Sequence, residues 1–444
     1  MIRSLLIANR GEIAVRIIRT CRDMGIRSVA VYSTVDNNSM HVQMADEAVC
    51  IGGPQSAESY LNSKNIITAA CLKRCDAIHP GVGFLAENAH FAESVEKAGL
   101  IFVGPKPETI ALLGDKIQAK RLAKEAQIPV TDGNEMPIEG VEEALRVAQA
   151  IGYPVILKAA AGGGGRGMRI VEHPRQMAEL FPVAVREATA FFANGSILME
   201  RYLTKAKHIE VQLVADGSGS VLCFGERDCS VQQRHQKLIE ESPAAKVDRT
   251  LIEHMVQCSR DLFSRIGYRG AGTVEYLVSN GSYYFMEVNS RLQVEHPVSE
   301  AVSSSDLVRL QLLVASGIPL STNQSEILLT GHALECRINA ISTGKITRFV
   351  PPLGPYVRVD THLYDGIEVG PYYDHLLAKI IVHAPTRNQS IATMKRALQE
   401  LVVEGLSTNQ KEQLAIIDSP QFKSGAFDTG IYRQTIEAQS CKNT

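Results

Sequence analysis

An Asn280-Gly281 dipeptide separates the run 272–278 (GTVEYLV) from the stretch 285–296, F-M-E-V-N-S-R-L-Q-V-E-H. Asn-Gly between two extended runs marks a β-hairpin. Read with the two-residue period of a strand, 285–296 puts Glu287, Asn289, Arg291, Gln293 and Glu295 on one face. Met286, Val288, Ser290, Leu292 and Val294 take the other. Taken alone, this is most simply an amphipathic strand with a solvated face. The sharper reading is a reaction floor, with acids for a metal, a guanidinium for an anion and an acid to move a proton. The hairpin then imposes a geometric condition. A two-residue turn sets Glu275 opposite Met286 and leaves Glu275 and Glu287 on opposite faces. Both acids reach one ion only if the hairpin holds an extra residue, so a three-residue loop with a bulge at the glycine is expected.

The first 110 residues alternate short apolar runs (4–8, 28–32, 48–51, 76–79 and 100–103) with helical patterns after Gly11 and around 61–74 and 88–98. That rhythm predicts a doubly wound parallel sheet. Ligands of such sheets sit at the carboxyl ends of strands, where Asn9-Arg10-Gly11 and His79-Pro80-Gly81 fall, although plain turn chemistry also accounts for both loops. No G-x-G-x-x-G follows the first strand, so a dinucleotide is unsupported. Residues 106–127 read as one long helix with Lys116, Lys120 and Lys124 at fourfold spacing, a pattern usual for a solvated face. Residues 131–137 form a polar hinge.

Residues 153–171 read as strand, glycine loop, strand, with Lys158 just ahead of Gly162-Gly163-Gly164-Gly165-Arg166-Gly167. Backbone N–H groups of such a loop can close on phosphate oxygens beside a lysine charge. It is not a P-loop, because G-K-[ST] is missing. A flexible linker is the alternative, but two apolar strands clamp it, and a phosphate-covering hairpin is favoured. A helix at 174–192 precedes 197–203 (ILMERYL), a segment suited to lining a base. Beyond 208 strands dominate: His208, Glu210 and Gln212 share a face, and 229–241 is dense in polar groups, including His235 and Lys237. Structural imidazoles remain an even alternative for both histidines. The tail holds strands at 331–339, 345–350 and 376–383 and a helix at 387–403, a mixed α+β unit.

A chain of 444 residues, 45% hydrophobic and 21% charged, has room for two or three domains with their own cores. A net charge of −2 with both signs interspersed gives no nucleic-acid surface and no membrane patch. No apolar run is long enough for a span, and no signal peptide is evident. Nine scattered cysteines without a C-x-x-C pair fit reduced thiols in a cytoplasmic protein, with neither zinc nor disulfides expected.

Together, I-A-N-R-G-E-I-A (7–14), H-P-G-V-G-F-L-A-E-N (79–88), K-A-A-A-G-G-G-G-R-G-M (158–168), R-H-Q-K (234–237), E-V-N-S-R-L-Q-V-E-H-P (287–297) and E-C-R-I-N-A (335–340) resemble biotin carboxylase, the ATP-grasp component of biotin-dependent carboxylases. The motifs lie in order over nearly the whole chain. The resemblance implies an α/β and α+β architecture. Its parts are an N-terminal pre-ATP-grasp domain (1–113), an ATP-grasp domain (114–330) with a mobile lid near 132–203, and a C-terminal domain (331–444), in a homodimer. It implies that Lys116, Lys158, Gly164, Gly165, Glu200, Arg201, Tyr202, Leu203, His208, Gln232 and His235 hold ATP. Glu275, Glu287 and Asn289 would hold Mg2+ or Mn2+. Lys237, Arg291, Gln293 and the Val294 backbone would grip bicarbonate, Glu295 would deprotonate it, and Arg337 would stabilise the biotin enolate. Two departures touch biotin handling. Val82 stands where the family commonly has tyrosine, and Ala340 runs through Ile341-Ser342-Thr343 straight to Gly344-Lys345 where the family carries a longer segment. No A-M-K-M-type biotinyl lysine occurs, and no length remains for a carboxyltransferase. A separate subunit acting on a biotin carboxyl carrier protein, within acetyl-CoA carboxylase, is therefore expected. Another bicarbonate-activating ATP-grasp ligase and a nucleotide-binding regulatory paralogue are the alternatives.

Overall fold

The structure, a computed structural model, describes residues 1–134, 136–160, 168–192 and 194–438. The N-terminal part is the predicted parallel sheet. Its strands run in the order Glu47–Gly52, Arg27–Ser33, Ser4–Ile7, Ala77–His79, Ile101–Phe102, all parallel. Ser4–Ile7 sits at the centre with every residue buried, as a run without polar alternation must when helices cover both faces. The loops at its carboxyl end are occupied by the chain itself. Asn9 Nδ2 donates to the carbonyls of Pro80 and Val82, both at 2.8 Å. Arg10 grips Asp36 with two hydrogen bonds and lies 4.4 Å from the ring centre of Tyr373, which comes from the C-terminal part.

The long helix expected over 106–127 is two helices, Pro107–Gly114 and Lys116–Glu125. Asp115 divides them: its carboxylate accepts from the N–H groups of Ile117 and Gln118, capping the second helix. The break turns Lys116 and Lys120 inward. Next comes a small antiparallel sheet of Arg169–Val171, Val155–Ala159 and Ile197–Arg201. Helices Val141–Ile151 and Met177–Phe192 back it, with a core of their own built on Ala144, Leu157, Phe181 and Met199. The two flanking strands of the expected hairpin thus pair, while Gly164 and Gly165 lie outside the described residues.

The centre is one eight-stranded antiparallel sheet. Its order is Ser282–Asn289, Arg269–Ser279, Lys207–Asp216, Val221–Gln233, Gln236–Ser242, His332–Asn339, Leu376–Ala384, Val357–Thr361. One face packs Ile209, Val211 and Leu213 against helix Arg249–Arg265. The other carries polar residues beneath helix His296–Ser303. The run expected at 345–350 forms two short strands in separate two-stranded sheets. Among the described residues no helix is long and apolar enough to cross a membrane.

The hairpin obeys the condition read from the sequence, by a different route. Ser279 pairs with Ser282, so Asn280-Gly281 is a two-residue turn, with φ of 51° and 74° as a type I′ turn needs. The extra residue is Met286. Tyr276 faces Phe285 and Glu275 faces Glu287, leaving Met286 as the bulge between them. The strand then ends at Asn289; residues 290–295 are loop and turn, and His296 opens a helix with Pro297 in its first turn. The single strand expected over 285–296 is corrected accordingly.

Candidate active site

Across four adjacent strands, Glu287, Glu275, Glu210 and Arg227 stand directly opposite one another in register. Three carboxylates in a row repel unless cations answer them. Lys237 does so from the strand Gln236–Ser242: its Nζ lies 2.6 Å from Glu210, 2.7 Å from Glu275 and 2.7 Å from Glu295. Burial acts to lower this ammonium, but the three carboxylates outweigh it and hold it well above the ordinary lysine value. Burial pushes the Glu295 acid up, yet Lys237, Arg337 and Arg227 bring it well below its usual range, so it is ionised. Arg337 donates to Glu295 Oε2 at 2.9 Å and, through Nε, to Glu240 at 2.6 Å. Arg227, fully buried, ties Glu210, Gln212, Ser299 and Gln293 together at 2.6–2.9 Å.

Arg291, Gln293, Val294 and Glu295 lie on the loop after the strand rather than along it. They nonetheless converge. Gln293 donates to Glu275 at 2.7 Å, and Arg291 donates through Nη2 to Asn289 and through Nε to Glu87, both at 2.9 Å. His208 approaches Glu275 Oε2 at 3.0 Å through Nε2 and contacts Gln232 at 2.7 Å through Nδ1. His235 occupies the Arg234-His235 turn, where φ is 49° and 67°.

Glu275 and Glu287 face each other on the sheet, and Asn289 donates to Glu275 at 2.8 Å. Burial and then the Glu275 charge raise Glu287 above its ordinary value. Among the described residues no hydrogen bond or ion pair reaches the Glu287 carboxylate. Two facing carboxylates, one destabilised by the other, plus an amide form a hard-oxygen set that suits a divalent cation such as Mg2+. His208, Glu210 and Glu275 also bring ligand atoms within 4.8 Å of one another, but Lys237 and Arg227 already neutralise that group.

A second cluster joins the small sheet to the core. Glu200 accepts from Lys158 at 2.7 Å, from Thr131 at 2.9 Å, and pairs with Lys120 at 2.6 Å. Burial opposes its charge, but Lys158 and Lys120 hold it well below the carboxylate range. Lys116 donates to the Ala159 carbonyl at 3.0 Å; burial lowers it more than Glu287 restores. Arg201 turns away to Asp132 at 3.1 Å, while Tyr202 and Leu203, just past the end of the strand, are half-buried.

Lys120 is not the solvated lysine its spacing suggested: its side chain is 16% exposed. Glu87, Glu210, Arg227, Glu240 and Lys379 were also not singled out as site residues. Glu87 lies inside the 79–88 motif and Glu210 shares a face with His208, which are signals of a kind. Nothing local marks Lys379. Of the two departures, Val82 is half-buried against the N-terminal core. Ala340 and Ile341 are bonded to the segment at 407–408, with the Ile341 side chain exposed.

Three family models match in succession: Biotin carboxylase, N-terminal domain, over 1–110; Carbamoyl-phosphate synthase L chain, ATP binding domain, over 115–323; and Biotin carboxylase C-terminal domain, over 335–434. The chain is 48% identical to a biotin carboxylase of Nostoc sp., covering 97% of this chain and 98% of that one. It superposes with TM-score 0.95 at 44% identity on a Campylobacter jejuni biotin carboxylase complex with β,γ-ATP, covering 98% and 99% of the two chains. It matches equally, at TM-score 0.95 and 40% identity over 98% and 97%, the biotin carboxylase domain dimer of a Hydrogenobacter thermophilus 2-oxoglutarate carboxylase, solved with MgADP, ADP and bicarbonate.

Proposed function

Because this chain belongs to the biotin carboxylase family, we propose that it carboxylates biotin using ATP and bicarbonate. The observation that carries the reading is the convergence of Lys237, Arg337 and Gln293 on the acids Glu275 and Glu295 at one end of the central sheet, with Arg291 beside them. Lys116, Lys158, Glu200, Arg201, Tyr202, Leu203, His208, Gln232 and His235, with Gly164 and Gly165, hold ATP. Glu275, Glu287 and Asn289 hold a divalent cation, which when bound offsets charge on the phosphates.

Bicarbonate enters against Arg291, whose planar guanidinium meets two oxygens at once, and against Lys237, Gln293 and the Val294 N–H. In doing so it competes with Glu295 for Lys237. Losing that partner, and gaining an anion as neighbour, raises Glu295 toward the pKa a general base requires. Glu295 takes the bicarbonate proton, and the carbonate oxygen attacks the γ-phosphorus, releasing ADP and forming carboxyphosphate. Lys237 and the ATP-holding lysines offset the charge that develops. Carboxyphosphate hydrolyses in water, so closure of the lid has a chemical purpose. Its C–O bond breaks to give carbon dioxide and phosphate. Phosphate removes the ureido N–H proton, Arg337 stabilises the enolate, and the nitrogen attacks carbon dioxide to give carboxybiotin.

The biotin is presented by a carrier protein, and a carboxyltransferase consumes the product, most simply in acetyl-CoA carboxylase. A homodimer in the cytoplasm fits the dimeric neighbour and the free thiols. ADP release with magnesium, ATP and bicarbonate, with and without free biotin, tests the reading. A rise dependent on both substrates is expected, and Glu295→Gln should abolish it. Stimulation by ammonia in place of biotin would overturn it in favour of a carbamoyl-phosphate-type ligase.

A further inference from the structure

The loop 290–295 carries four side chains or backbone groups of the site, yet it belongs to neither a strand nor a helix. Its peptide planes must be fixed from outside. The Gln293 carbonyl accepts from the His296 ring at 2.8 Å and from the His296 N–H at 3.2 Å. The Val294 carbonyl accepts from Lys379 Nζ at 2.8 Å. These are the two peptide units flanking Val294, so together they set where its N–H points and how the Glu295 side chain departs.

Lys379 lies on the strand Leu376–Ala384, directly opposite Arg337 on one side and Asp360 on the other. It is 0% exposed. Its ammonium also pairs with Glu12 at 3.1 Å, in the first turn of the helix Gly11–Met24. A buried ammonium stabilises a fold poorly compared with an apolar chain of its size. What this one supplies is direction.

We infer that Lys379, held by Glu12, is a positioning residue for bicarbonate activation: it fixes the Val294–Glu295 peptide, as His296 fixes the Gln293–Val294 peptide, so that the Val294 N–H and the Glu295 carboxylate address the same anion. The inference rests on the functional reading above. It means that the anion pocket is completed from the first, middle and last thirds of the chain.

The test compares the full chain with Lys379→Met and with the double variant Glu12→Gln/Lys379→Met. The single variant strands a buried Glu12 charge and can fail to fold for that reason alone. The double variant removes both charges and keeps the volume. Steady-state ADP release is measured against bicarbonate and against ATP, with thermal unfolding alongside. The expected result for the double variant is a melting temperature near that of the parent, a fall of tenfold or more in kcat/KM for bicarbonate, and an ATP KM within twofold. A bicarbonate kcat/KM within twofold of the parent overturns the inference. So does a proportional loss in both substrates, or a double variant that does not fold, since either makes the pair merely structural. A parent chain without bicarbonate-dependent ADP release would instead sink the functional reading itself.

Discussion

Replacing Lys237 by methionine removes the ammonium on which Glu210, Glu275 and Glu295 converge at 2.6–2.7 Å. Ligand oxygens of Glu210 lie within 4.8 Å of those of Glu275 and of Glu295. Two unit charges at that distance repel by roughly 3 kcal/mol at an effective dielectric of about 20, or about two pKa units. Rather than bear that, one carboxyl takes a proton in the folded state. Its folded pKa then stands above its unfolded value of about 4.3. A raised acid stabilises the fold at low pH and loses that contribution as the pH climbs through the folded value. The cost of Lys237→Met is therefore expected to be about 1–2 kcal/mol near pH 5 and about 3–5 kcal/mol at pH 8. Urea unfolding of parent and variant at pH 5, 6.5 and 8, followed by circular dichroism, reads the difference directly. In the parent, Glu275 and Glu295 are held well below pH 5, so they add no slope over this window. A parent–variant difference that is flat from pH 5 to 8 would refute the reasoning.

Burial holds His41 and His79 down to about 4 and His362 to about 3, and pushes His296 well below its ordinary value. All four are neutral in the fold but take protons once unfolded, so each should cost roughly 2 kcal/mol of stability by pH 5, offset in part by Glu240, which burial raises to about 7 and which gains stability as the pH falls; a stability that does not fall between pH 6.5 and 5 would contradict it. Deleting Met286 removes the bulge but keeps Glu275 opposite Glu287, so the variant should fold and retain bicarbonate-dependent ATP hydrolysis; a folded variant that has lost this hydrolysis would show that the bulge itself, and not the register alone, is required. Glu87→Gln removes the acid that holds Arg291, and because the Glu87 side chain is 39% exposed the pair is discounted to about 1 kcal/mol. That corresponds to about a fivefold rise in the KM for bicarbonate with the ATP KM unmoved, and steady-state kinetics showing no rise would remove Glu87 from any orienting role.

The N-terminal sheet was legible because its strands are short, apolar and separated by amphipathic helices, a pattern few other folds satisfy. The hairpin was legible through Asn280-Gly281 and through the need to bring two acids together. The place of the bulge was not, since nothing in Phe285-Met286-Glu287 distinguishes a bulged methionine from a regular one. Residues 290–295 alternate like a strand, but alternation reports only which side chains are polar, and a loop lined with partners produces the same pattern. Pro297 was the available correction, because proline at the start of a helix ends any extended reading before it. Asp115 was another, an N-cap hidden within a pattern that otherwise reads as one helix. Lys120 and Lys379 mislead for a deeper reason. Their burial depends on acids eighty or more residues away (Glu200 for one, Glu12 for the other), and no local window contains both partners.

Several cations assigned to an anionic substrate are already matched with an acid of the chain: Lys237 and Arg337 with Glu295, Lys158 with Glu200. The pocket therefore behaves as an ion exchanger rather than as a well of positive potential. An incoming anion gains only the difference between its own fit and that of the carboxylate it displaces. Chloride or stray phosphate, lacking the shape to engage several cations together, gains little from the exchange. Each displacement also frees an acid at the moment a proton acceptor is needed. Selectivity and timing thus come from the same substitution of one anion for another.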